Sequence, residues 1–78
     1  MDDRREITIN RRRFDRDGGV EPTMTADALA ELAGIPAENA IVERETGPRT
    51  YEALARDTSL PIRSGMHFLV TRKFVMGG

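Results

Sequence analysis

Ile7 and Ile9 alternate with Thr8 and Asn10 across Glu6–Asn10, the period of two expected of a strand with one buried face. Asn10-Arg11-Arg12 supplies a polar turn, and Arg13 to Asp17 reads as a returning strand that buries Phe14. Asp17-Gly18-Gly19 ends or kinks that strand. A β-hairpin therefore opens the chain. The period then changes. Leu29, Leu32 and Ala33 fall at i, i+3 and i+4, the apolar stripe of a short helix. Thr25 is the expected N-cap and Asp27 favours the positive end of the dipole. Met24 and Leu29 are placed as a hydrophobic staple. Ala28 and Ala30 read as helix-forming filler rather than core. Gly34 is the expected left-handed stop, and Pro36 prevents resumption.

Beyond the helix, Ala40 to Glu45 is a β-prone run closed by Gly47-Pro48. Tyr51 to Leu54 suits either a short strand or one helical turn, and Ser59 to Ile62 is extended because Pro61 disfavours helical backbone at Leu60. Met66 to Thr71 is the best-marked strand, with Met66, Phe68 and Val70 on one face and His67 and Leu69 on the other. The order is β-β-α-β-(β)-β. A right-handed crossover through the helix lets the last strand lie beside the first. A mixed sheet wrapped over a single helix is the β-grasp arrangement, an α+β roll. Residues 1–71 are expected to form this domain, and residues 72–78 a tail ending in Gly77-Gly78.

Composition narrows the chemistry. Seventy-eight residues with no cysteine exclude disulfides, thiolate metal sites and a cysteine nucleophile. His67 is the sole histidine, so a histidine-rich metal site is excluded too. A net charge of −1 marks no polyanion-binding surface overall. No apolar run approaches the ~20 residues of a membrane span, and no apolar stretch follows the charged start as in a secretory signal. A cytoplasmic chain is expected. No motif places a pair of catalytic carboxylates, and so small a domain has little room for a ligand pocket beside its core. The chain is not expected to be an enzyme.

The terminal Gly77-Gly78 pair packs nothing, yet it has chemical sense. A carboxylate with no side chains behind it fits a narrow adenylating or peptidase channel. Attack on the α-phosphate of ATP would give an acyl-adenylate, which a partner's thiolate or a target amine could displace. The chain brings the acyl group and no nucleophile. It needs no cofactor of its own, since the ATP is used by the partner.

Ile7-Thr8-Ile9-Asn10, Met24 through Pro36 and Ser64 through Val70 together resemble the bacterial ubiquitin-like modifiers related to the multiubiquitin domain. The threonine-capped helix running into Leu32-Ala33-Gly34-Ile35-Pro36 is the most specific part of that resemblance. The resemblance implies a β-grasp fold and covalent attachment through the terminal glycine. It also implies bacterial activating and conjugating enzymes, a zinc-dependent deconjugating peptidase, covalent protein targets, and a link to antiphage defence. By residue match only Gly77 and Gly78 carry over. The tail from Arg72 to Met76 departs from the basic tail of eukaryotic ubiquitin, and Arg72, Phe74, Val75 and Met76 are its candidate recognition residues.

Other features have simpler readings. Lys73 is the only lysine, against eleven arginines; any chain of modifiers must use Lys73 or the α-amine, although a solvated side chain accounts for it. Arg11, Arg12, Arg13 and Arg16 gather around Phe14, but a water-exposed turn diluted by Asp15 and Asp17 explains them without nucleic acid. They could equally dock an acidic face of a partner. Leu69, on the outward face, is a candidate partner contact. Phe74-Val75-Met76 either lengthens the last strand or adds as a strand to a partner or a second copy, which would favour self-association.

The leading expectation is a modifier whose Gly78 carboxylate is activated and joined to target amines. The alternative within the same fold is a sulfur carrier bearing a Gly78 thiocarboxylate. A third, from a different class, is a non-covalent or self-assembling module with incidental glycines. Target proteins and any trimming of a precursor at Gly78 are not readable from the chain.

Overall fold

The computed structural model describes residues 5–73. Among the described residues, seven strands and one α-helix occur in the order β1 (Ile7–Ile9), β2 (Arg12–Phe14), β3 (Thr23–Thr25), α1 (Ala26–Leu32), β4 (Ala40–Gly47), β5 (Thr50–Leu54), β6 (Ser59–Pro61) and β7 (His67–Arg72). Five of them form one mixed sheet in the order β2-β1-β7-β4-β5, and β3 pairs with β6 separately. The last strand runs parallel to the first, with Thr8 opposite His67, and antiparallel to β4. Its position beside β1 is the one the chain order allows with the helix as crossover.

The sheet's centre is its most apolar part. Ile7 and Ile9 on β1, Val42 on β4, and Phe68 and Val70 on β7 all turn to one face and are buried. Leu29, Ala26 and Ala30 of α1 cover them, while Met24, Leu60, Ile62 and Val20 close the side of the core. Ala30 is fully buried and Ala28 half-buried, so alanine here is core material, not helix filler. The small side chain lets the helix sit close over the sheet, which periodicity alone does not reveal.

Protein groups take up free polar groups at both ends of the helix. At the start, Thr25 Oγ1 accepts from the Ala28 N–H at 3.1 Å, and the Ala26 and Asp27 amides donate to the carbonyls of Thr58 and Arg56. Thr25 ends β3 as well as capping α1. At the finish, Gly34 takes φ of 85°, its N–H donating to Glu31 and that of Ile35 to Ala30. That is the paired closure a left-handed residue after the last turn permits.

Several expectations are corrected. The second strand is Arg12–Phe14, not Arg13 to Asp17. The Asp15 carboxylate accepts from the amides of Asp17 and Gly18, and that local capping diverts the chain into a 3-10 turn over Arg16–Gly18. Phe14 is therefore half-buried at the core's edge. The segment Tyr51 to Leu54 is strand, held by antiparallel pairing with β4. Strand β3 was not visible in the sequence because its partner β6 lies far along the chain.

Candidate functional site

The residues expected from the sequence to carry the chemistry follow β7. Arg72 ends that strand, and the backbone N–H of Lys73 donates to the Asn39 carbonyl at 2.7 Å. Phe74, Val75, Met76, Gly77 and Gly78 lie outside the described residues. Both Arg72 and Lys73 are exposed.

The strand that leads to them is fixed from its β1 side by a side chain. The Thr8 and Asn10 amides donate to the carbonyls of Met66 and Phe68, a regular parallel ladder. At Asn10 the backbone leaves the ladder, because Asn10 and Arg11 form the hairpin turn with φ of 54° and 68°. The Asn10 amide then substitutes for the missing strand. Its Nδ2 donates to the Val70 carbonyl and its Oδ1 accepts from the Val70 N–H, each at 2.9 Å. Asparagine tolerates the left-handed backbone and offers both a donor and an acceptor. The polar turn was legible in sequence; this clamp, spanning 60 positions, was not, since no local pattern marks it.

The face of the sheet turned away from α1 carries the second candidate. Thr8, His67, Leu69, Glu43 and Tyr51 share it by pairing register. Leu69 is half-buried there and His67 exposed, the orientation their parity predicted. A shallow concavity of about 300 Å³ runs along this face, lined by Thr8, Arg11, Glu45, Tyr51, His67 and Leu69. The Tyr51 hydroxyl lies 3.5 Å from Glu45 Oε2. Ile41, 40% exposed, and Tyr51, 39% exposed, are the large apolar side chains left open to solvent among the described residues. Such a face can take up a side chain of a protein partner. Among the described residues no group of three His, Asp or Glu is placed to hold a metal ion.

Away from this face, Arg56 makes a two-pronged contact with Asp27, Nε to Oδ1 at 3.1 Å and Nη2 to Oδ2 at 3.2 Å. The hydrogen bond to Asp27 and its negative charge raise the guanidinium pKa above the ordinary arginine value. Together with the Asp27 N–H to Arg56 carbonyl bond, it ties the loop before β6 to the first turn of α1, a structural task.

No family model, curated protein or solved structure matches this chain significantly. The class defined by its own strand order is a small α+β fold, a mixed five-stranded sheet with one α-helix. Among the described residues no helix is long and apolar enough to cross a membrane.

Proposed function

We propose that the chain is a β-grasp, ubiquitin-like protein modifier acting through the carboxylate of Gly78. The observation that supports this reading is the strand order β2-β1-β7-β4-β5, with the parallel pair β1 and β7 at its centre. That arrangement makes the best-anchored strand the one that leads toward Gly77 and Gly78. In the proposed reaction a Gly78 carboxylate oxygen attacks the α-phosphate of ATP in an activating enzyme and expels pyrophosphate. A thiolate of that enzyme or of a conjugating enzyme displaces AMP from the acyl-adenylate. A target amine then displaces the thiolate and loses its proton, leaving an amide. A zinc-dependent peptidase would hydrolyse that amide. Gly78 must be the terminal residue for this chemistry, by translation or by trimming. Arg72 and the Phe74-Val75-Met76 segment are then the part of the tail an activating enzyme reads, and Leu69 belongs to the face open to partners. The setting proposed is a bacterial, antiphage conjugation pathway in the cytoplasm.

Mass spectrometry of the chain recovered under denaturing conditions from its native cells tests this. A strain lacking Gly77 and Gly78 serves as control. Heavier species with Gly78 joined to an amine, lost in the control, support the modifier and name its targets. Free chain with sulfur in place of one Gly78 oxygen replaces it with a sulfur carrier. Unmodified chain alone, with the partner enzymes expressed, defeats both and favours a non-covalent module.

A further inference from the structure

The sheet face turned away from α1 separates its charges. Pairing register sets Arg13 level with Thr8, Thr8 level with His67, and Glu45 level with Tyr51. Glu45 lies one step beyond the last β4–β7 pair, Arg44 with Phe68, and so stands level with His67. One row across the five strands therefore reads Arg13, Thr8, His67, Glu45, Tyr51. The next row sets Leu69 beside Glu43, and Glu43 beside Ala53. Arg11, from the hairpin turn, lines the concavity on the same face. Strand β7 is the third of the five, so it divides a cationic half from an anionic half.

These charges are not matched within the chain. Arg11, Arg13 and Glu43 have no ion-pair partner among the described residues. Glu45 has the Tyr51 hydroxyl at 3.5 Å, which leaves its charge uncompensated. On the dividing strand Leu69 is half-buried and His67 exposed.

We propose that a second copy of this chain packs on this face, about a two-fold axis running along β7. That rotation exchanges the two halves of the face and keeps height along the strands. Strands lie about 4.8 Å apart, so Arg13 stands about 10 Å to one side of the axis. Glu45 and Tyr51 stand about 5 and 10 Å to the other. Each Arg13 therefore comes over Tyr51 and beside Glu45 of the other copy, an ion pair with a cation–π contact. Arg11 comes over the Glu43 side, and Leu69 meets Leu69 at the centre. Aligned sheets pack about 10 Å apart, a gap that arginine and glutamate side chains bridge from both sides. The interface is isologous, so every charged contact is made twice. Charge selects this occupant. A polyanion would meet Glu43 and Glu45, and a polycation would meet Arg11 and Arg13, whereas the rotated copy opposes each sign with the other. Both β7 strands point the same way, which brings the two Arg72 ends to one end of the dimer. The inference does not depend on the chemistry of Gly78.

The test combines sedimentation equilibrium with NMR on the full chain. The mass should rise from one chain toward two over roughly 10 µM to 1 mM, and less so with added salt. Concentration-dependent amide shifts should gather at Thr8, His67, Leu69 and Glu43. In a mixture of labelled and unlabelled chain, an isotope-filtered NOE should join Leu69 of one copy to Leu69 of the other. Arg11→Glu/Arg13→Glu and Glu43→Arg/Glu45→Arg should each weaken pairing roughly tenfold or more with unchanged circular dichroism, and the two variants mixed should pair again. A monomeric mass throughout overturns the proposal. So does self-association that survives both charge reversals, or that shifts other amides and gives no Leu69 NOE.

Discussion

Replacing Asn10 removes the clamp that continues the β1–β7 ladder. Two hydrogen bonds of 2.9 Å to the part-buried Val70 backbone disappear, each with a net worth of about 1 kcal/mol. Both bonds are part-buried, and the loss is set at that level. Alanine must also hold the left-handed φ of 54°, at a cost of about 1 kcal/mol. Asn10→Ala should therefore destabilise by about 3 kcal/mol. Glycine loses the same two bonds without the strain, so Asn10→Gly should destabilise by about 2 kcal/mol. At roughly 0.05–0.15 kcal/mol per residue a domain of this length has roughly 4–12 kcal/mol in total, so either loss is a large share. Asn10→Asp keeps the acceptor for the Val70 N–H but sets an oxygen against the Val70 carbonyl. That contact disfavours the ionised carboxyl, so its pKa is higher folded than unfolded. The folded state then binds more protons, and the variant gains stability relative to the parent as pH falls through that range. Urea denaturation followed by far-ultraviolet circular dichroism measures these differences, with the slope checked for constancy. Native-state hydrogen exchange at the Val70 amide localises them. A loss below about 1 kcal/mol for Asn10→Ala at unchanged slope would refute the clamp. Parental stability for Asn10→Gly would show that backbone strain alone was at issue.

Gly19 and Gly34 both have positive φ, 109° and 85°, but their surroundings differ. A Cβ on Gly19 would meet Leu32 Cδ1 at 2.9 Å, whereas one on Gly34 meets nothing within 4 Å. In thermal melts Gly34→Ala should cost about 1 kcal/mol, from the backbone alone, and Gly19→Ala about 2–3 kcal/mol; equal effects would mean that Leu32 yields freely. At the buried Ala30, Ala30→Val should cost about 1–3 kcal/mol by overpacking α1 against the sheet. A neutral result by urea titration would return Ala30 to the role of helix filler.

Much of the architecture was legible because its signals are local. The alternation of Ile7 and Ile9, the cap at Thr25, the stop at Gly34 and the parity of Met66, Phe68 and Val70 each act within a few residues. The structure places those residues as expected: Thr25 caps α1, Gly34 turns left-handed, and Phe68 and Val70 are buried. The second strand went astray because two local forces compete at Asp15. Its carboxylate can cap a turn, and that hydrogen-bonded capping prevails over strand continuation.

The sequence alone determined the periods and the punctuation, since these depend on residue type and near neighbours, and the proposal for Gly77 and Gly78 rests on it. Only the tertiary structure decided that β3 finds β6, that Tyr51 to Leu54 is strand, that Ala30 belongs to the core, and that Asn10 holds Val70. Each of these depends on a partner outside the local pattern. A hydrogen bond or a buried contact is fixed by distance in space, and a one-dimensional pattern carries no record of which distant groups will meet.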